Sequence, residues 1–398
     1  MSTSPVTSSN TNSETPTGPL SGVRVLDLSQ FILGPLSAQI LGDMGADVIK
    51  VEPPTGDLNR FIGPARHPGM AAMFMGMNRN KRSVILDLRK PEGMATLMEL
   101  VDQSDVFIHS LRRDSAQRLG IDYANIGKRN PRIIHACAPG YRSDGPLRDR
   151  PAYDDVIQGE SGIADLNFIA SGQNRYMPTV IADKFCGNAL ASSIGMALYH
   201  RSQSGQGQSV EVPMLETMLT FNLVEHMWEG AFDEPQGPMG YDRALMPERR
   251  PFATLDGSVC AMATSDAQWH RLFTAFDRSD LCDDPRFVTL AARSANFPAL
   301  YGTLGEEIAR FTTVEAHNRL EAADIPNAIV RRLADMPEDP YLVETGYFHH
   351  YTHPIAGPLI TTSIPTTFSA SPAQIRRPPP LLGEHTEEVF AELGIKCT

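Results

Sequence analysis

Short β-branched and apolar runs alternate with helix-spaced segments through the first third of the chain, and no other feature restricts the fold as strongly. "VRVLDLS" (23–29) is followed by the loop "QFILGP", by "LSAQILGDMG" with apolar residues at helical spacing, and by "ADVIKVE". That is one βαβ unit. The alternation repeats through "SVILDL" (83–88), "PEGMATLMELVDQS" with Pro91 at an N1-like position, "DVFIHSL" (105–111), a short helix to Leu119 and "RIIHACA" (132–138). Strands joined by crossover helices predict an α/β fold with a mostly parallel, doubly wound, Rossmann-like sheet. Ligands in such a sheet sit beyond the carboxyl ends of the strands.

The texture changes after "RSQSGQGQSVEVPMLETMLTFNLVEHMWE". Residues from about 230 to 330 hold Pro-rich loops, a hairpin-like "PFATLDGSVCAMAT" and helices around "DAQWHRLFTAF" and "LYGTLGEEIARF". They predict a smaller second domain, as a chain of 398 residues is too long for one small core. Strand-like segments then return, and a final helix begins near His385.

Charge and composition remove several classes of function. A formal net charge of −12 disfavours a nucleic-acid partner, and no apolar run approaches the roughly 18 residues that span a bilayer. Five scattered cysteines without a CxxC pair point to reduced thiols in a cytoplasmic protein, not to a disulfide framework or zinc site. The first nineteen residues lack a basic n-region and an apolar h-region, so they are read as a disordered tail and not a secretory signal. "LGPLSAQILGDMG" is not GxGxxG, and no GxxxxGKS occurs, so dinucleotide and nucleoside-triphosphate sites lack their signatures.

Three clusters carry candidate chemistry. In "MPTVIADKFCGNAL" the apolar run Val180-Ile181-Ala182 ends at Asp183, with a helix following, which places Asp183 at the N-cap. A carboxylate there is either a cap or, kept ionised by the helix dipole, a competent nucleophile. His349, His350 and His353 in "FHHYTHP" include an i,i+4 pair that would suit a metal on a helix, but Pro354 and the aromatic, β-branched neighbours argue for loop or strand, and no metal site is assigned. Arg112, Arg113 and Arg118 follow a predicted strand end, as phosphate ligands would, or form a solvated helix face.

Five longer segments stand in order between residues 20 and 394: "LSGVRVLDLSQFILGPLSAQILGDMGADVIKVEPPTGD", "NRNKRSVILDLRKPEG", "GYRSDGPLRDRPAYDDVIQGESG", "IADKFCGNALASSIGMALYHRSQSGQGQSVEVPMLE" and "LLGEHTEEVFAELG". Together they resemble the family III CoA-transferases (the CaiB/BaiF family), which include the formyl-CoA:oxalate and carnitine CoA-transferases. The resemblance implies an interlocked homodimer whose large domain draws on both chain ends. The division is then a tail (1–19), a large CoA-binding domain (20–225), a small α+β domain (226–330) and a return to the large domain (331–398). It also implies acyl-CoA and a small carboxylic acid as substrates, with coenzyme A a substrate and no permanently bound cofactor.

On the same resemblance, Asp183 is the nucleophile that forms an acyl-aspartyl anhydride and then an aspartyl-CoA thioester. Gln30, Phe31, Ile32 and Leu33 line the thioester end. Leu86 and Arg89 match the adenine side, Ser110, Leu111 and Arg112 match a CoA-binding turn, and Arg118 matches a phosphate-contacting arginine. The turn reads Ser110-Leu111 where the family has Asn-Phe, and Pro53 stands where a basic residue is often found. Arg243, Arg249 and Arg250 are candidate partners of an acceptor carboxylate. The racemases of this fold pair the aspartate with a His thirty residues upstream, where this chain has Tyr153. A phenol of pKa about 10 is a poor base for a carbon acid at neutral pH, which favours transferase over racemase. An idle CoA-binding protein, the third reading, would be expected to lack the nucleophile.

Overall fold

The computed structural model describes residues 17–395. The expected tail therefore lies, apart from Thr17, Gly18 and Pro19, outside the described residues, as does Cys397. Contacts divide the chain into two units. The first runs to Ser161 and adds Pro178–Phe221 and the chain from Gly346 onward; the second is Gly162–Met177 with Asn222–Thr345. Gly162–Met177 and residues 331–345 thus fall in the second unit, outside the 226–330 read from sequence. For the first of these the reason is local, because the helix Ile163–Ser171 packs on the short helix Asp242–Leu245.

The first unit is built on six parallel strands: β1 (Arg24–Asp27), β2 (Asp47–Glu52), β3 (Lys81–Ile85), β4 (Val106–His109), β5 (Ile134–Cys137) and β6 (Gln208–Glu211). Their order, β3-β2-β1-β4-β5-β6, reverses direction at β1 and β4. That switch point opens a crevice between the loops that leave the two strands. β6, "QSVE", is the strand the sequence pattern leaves unread, being short, polar and half exposed at the sheet edge.

One sheet face carries Leu26, Ile49, Val84 and Phe107 against Leu97, Leu100 and Val101 of the helix Pro91–Asp102, Ile126 of Tyr123–Arg129, and Val389 and Phe390 of Thr386–Leu393. Pro91 does open its helix, with Glu92 favourably placed in the first turn. The last helix is anchored to the first strands by Arg82, which meets Glu392 at 2.6 Å and Glu388 at 3.1 Å. On the other face the helix Leu33–Asp43 packs along the 24-residue helix Ile181–Ser204. A Cβ on Gly187 would stand 2.9 Å from the Leu33 carbonyl oxygen, so only glycine allows this approach.

"FHHYTH" is strand β10 (Phe348–His353), antiparallel to β11 (Gly357–Thr362), and an extended backbone separates His349 from His353. His353 is buried and committed locally: its Nε2 lies 3.0 Å from the Pro379 carbonyl, and its Nδ1 accepts the Ile355 and Ala356 amides. Among the described residues, no group of three His, Cys, Asp or Glu could hold a metal ion, and no helix is long and apolar enough to cross a membrane.

The second unit holds an antiparallel sheet of β7 (Phe252–Ala253), β8 (Ser258–Ala261) and β9 (Asn327–Ile329). Trp269, Phe273, Leu300, Leu304 and Leu320 from three helices close its core. Capping boxes, Ser265 with Gln268 and Thr312 with Glu315, start two of those helices. Arg243 is spent within this unit, on the Tyr301 hydroxyl at 3.2 Å and over the Phe297 ring. Arg249 and Arg250 are exposed here.

Candidate active site

Buried ions brace the loop that leaves β1. Lys81 donates to Asp27 at 2.9 Å, to the Pro35 carbonyl at 2.8 Å and to Asn78 at 2.9 Å. Lys50 pairs with Asp57 at 2.9 Å and donates to the Ser29 carbonyl at 2.9 Å. All four ion-pair partners are fully buried. Burial pushes Asp27 up, but Lys81 and Lys50 more than offset it and hold the carboxyl below its usual range. Burial, with the Lys50 charge, brings the Lys81 ammonium down to about 8. Because such groups are costly unless paired, they fix the backbone they bond to.

The braced segment is the loop the resemblance selects. Asn59, its own amide bonded to Asp57, donates its side-chain N–H to the Phe31 carbonyl. Phe31 holds the left-handed conformation, φ 65°, uncommon for an aromatic residue. Its ring meets the edge of Tyr153 at 5.5 Å. From the other side of the switch point, Ser110 Oγ accepts the Gln30 amide at 3.4 Å.

The helix carrying Asp183 begins one turn earlier than its sequence suggests. Val180 is the N-cap, and Asp183 lies in the first turn. The N-cap assignment is thereby corrected: the carboxylate is not needed as a cap, since the Asp183 amide donates to Asp154 Oδ1 at 3.0 Å. Asp154 is buried, follows Tyr153 at the start of the helix Asp154–Glu160, and takes the Gln158 amide on its other oxygen at 2.5 Å. Among the described residues the Asp183 carboxylate accepts no hydrogen bond. Burial, with the Asp154 charge adding, lifts it to about 7, so the ionised form expected from the helix dipole is outweighed by desolvation.

Asp183 opens onto a cavity of about 480 Å³. Nine of the twelve residues selected from sequence line it: Gln30, Phe31, Ile32, Leu33, Ser110, Leu111, Arg112, Tyr153 and Asp183. Asn59, Arg150 and Asp154 line it too and escaped the sequence reading; for Asp154 the signal was the Asp-Asp doublet that opens a helix after Tyr153. Arg150 is held by Glu160 at 2.6 Å. Leu86, Arg89 and Arg118 do not line the cavity. Leu86 belongs to the sheet core, Arg89 is 84% exposed and chelates Asp87, and Arg118 is exposed and donates to Ser115 at 3.1 Å.

The arrangement suits acyl transfer. It offers a half-buried carboxylate with free lone pairs, a phenol and an amide near it, cations at its border and a crevice at the switch point of the sheet.

Comparison with known proteins adds to this geometry. A family model described as "CoA-transferase family III" matches residues 20–386. The chain is 31% identical over 382 residues to the succinate–glutarate CoA-transferase of Agrobacterium fabrum, covering 94% of this chain and 96% of that protein. It is 31% identical over 397 residues to the formyl-CoA:oxalate CoA-transferase of Afipia carboxidovorans, with 94% and 93% covered. Among solved structures, a CaiB/BaiF family protein from Brucella suis superposes with a TM-score of 0.81 at 30% identity, covering 95% of this chain and all of that one.

Proposed function

The chain belongs to CoA-transferase family III, and on that premise we propose that it moves coenzyme A between short carboxylic acids, dicarboxylic ones included, with Asp183 as the covalent relay. The observation that supports this reading best is the unpartnered Asp183 carboxylate at the cavity wall. In the first step it attacks the acyl-CoA carbonyl carbon, the C–S bond breaks, and a mixed anhydride and the CoA thiolate form. The thiolate then attacks the aspartyl carbon, giving an aspartyl-CoA thioester and the free donor acid. The acceptor carboxylate repeats these two exchanges in reverse and restores Asp183. No proton is gained or lost across the cycle, so the chemistry asks for no strong base, and Tyr153 in place of a histidine is no handicap.

Gln30 and the braced backbone of the β1 loop are placed to stabilise the carbonyl oxygen as it gains charge. Arg112 borders the cavity and Arg118 stands farther along its helix, an arrangement suited to the phosphates of coenzyme A. Leu86 and Arg89 are assigned to the adenine side on the resemblance alone. The substrate class rests on the cavity's size, its cations and the names of the relatives. Incubation with succinyl-CoA and a panel of small acids, read by mass spectrometry, should show CoA passing to at least one acid. Hydrolysis alone, with no acid accepting CoA, would contradict the proposal. We assign the active form as a cytoplasmic homodimer, for which light scattering should give twice the chain mass of 43.6 kDa.

A further inference from the structure

A second, smaller cavity of about 220 Å³ lies in the first unit against the carboxyl ends of β4, β5 and β6. Strand pairing sets His135 beside Ser209 and Cys137 beside Glu211, so their side chains share one sheet face with His109. Ala116 and Tyr123, from the helices Arg113–Leu119 and Tyr123–Arg129, cover that face, and Leu111 and Pro139 wall it off toward the Asp183 cavity.

Two nitrogens on this face are unaccounted for. His109 Nδ1 accepts the Leu111 amide at 3.2 Å, so a neutral ring carries its proton on Nε2, and that buried donor has no partner. His135 Nε2 lies 2.9 Å from the Ile121 carbonyl and must donate to it, which leaves Nδ1 a buried acceptor without a partner. The rings stand edge to face at 5.0 Å, and both line the cavity. Burial brings the His109 imidazole down to about 3 and lowers His135 as well, so both are neutral. A buried donor and acceptor left unmet cost more than they contribute, and structures satisfy such groups with water or ligand.

We infer that this cavity is a binding site, separate from the Asp183 cavity, for a small planar neutral compound whose carboxamide accepts from His109 Nε2 and donates to His135 Nδ1. The two imidazoles and the Tyr123 ring supply flat walls, and Ala116, Ala124 and Pro139 supply apolar ones. No buried cation reaches the deep end, which disfavours a carboxylate or phosphate there. Arg113 and Arg148 lie elsewhere in the lining, the former held by the Ser143 carbonyl.

Benzamide is the probe, because its amide presents an acceptor and a donor on one edge behind a flat apolar ring. Titrated into the full chain and followed by NMR, it should bind saturably in the millimolar range expected of so small a ligand. It should bind equally with and without saturating coenzyme A, and equally to Asp183→Ala. Ala116→Leu, which fills the cavity from the covering helix, and His135→Phe, which removes the acceptor, should each weaken binding about tenfold or more. Benzoate, of the same shape, should bind at least about tenfold more weakly. Absence of saturable binding, displacement by coenzyme A, undiminished binding to Ala116→Leu, or a crystal structure at high benzamide with only water between the imidazoles would each overturn the inference.

Discussion

Asp183 shows how a single residue can be legible in kind and misread in place. Its sequence setting, an apolar run stopped by a carboxylate before a helix, singled the residue out, and the resemblance gave it the nucleophile's role; the cap and the ionisation expected from the setting did not follow. The cap was misread because Asp154, twenty-nine residues away, supplies the capping oxygen, and the ionisation because the fold buries the carboxyl, with the Asp154 charge adding; no local pattern reports either. The consequence is measurable. A carboxyl near 7 when folded and 3.8 when unfolded stabilises the fold fully below pH 3.8, and that contribution is lost as pH rises toward 7. Asp183→Asn should therefore be more stable than the parent at pH 8, by on the order of 2 kcal/mol, with the gain vanishing near pH 4. A thermal-melt series over this range that shows no pH-dependent difference would refute the assignment. In the parent, kcat/KM for acyl-CoA should fall about tenfold per pH unit below about 7, as the nucleophile is protonated. Tyr153 is 61% exposed and packs on Phe31, and the proposed transfer gives it a packing or hydrogen-bonding role, not that of a base. Tyr153→Phe should cost at most about 10²-fold in turnover. Rapid α-deuteration of a 2-methylacyl-CoA by the parent, lost in Tyr153→Phe, would instead indicate a racemase.

At the level of elements, the βαβ alternation could be read because β1, β2, β4 and β5 carry apolar runs and are buried, and periodicity reports burial directly; β3, Lys81–Ile85, begins two residues before the run 83–88 because its first half, Lys81-Arg82-Ser83, is buried but polar. β6 and the early helix start were not legible, since a polar edge strand and a first turn capped only by the distant Asp154 carry no such pattern. Nor could sequence show that the β1 loop is tied to Asn59 and Lys50, contacts made only once β1 and β2 lie side by side. What joins this loop to the Asp183 helix is the contact of Gly187 with Leu33. Gly187→Ala should force the two helices apart, lowering stability by about 1–3 kcal/mol and reducing kcat more than it raises KM. Denaturant unfolding with steady-state kinetics tests this, and unchanged kcat in a destabilised variant would sever helix spacing from catalysis.

Across the whole molecule, composition limits the classes of function and topology gathers the candidate site. The strand order puts the switch point between β1 and β4, and the residues chosen from sequence that line the cavity are those on the loops leaving these strands, Tyr153 in the segment after β5 and Asp183 in the first turn of its helix. Leu86 and Arg89 follow β3, and Arg118 lies farther along the helix that follows β4, so these three do not line this cavity. The domain limits were the least legible feature, because the segment 162–177 resembles its neighbours in composition while packing with a distant part of the chain. The central claim is that Asp183 carries the acyl group and then coenzyme A. Its most direct test is to mix the protein with a competent acyl-CoA, quench with hydroxylamine and map the modified peptide by mass spectrometry. The account predicts a hydroxamate on Asp183, formed only when acyl-CoA is present, together with loss of transfer in Asp183→Ala. A hydroxamate on another carboxylate, or substantial transfer by Asp183→Ala, would contradict it.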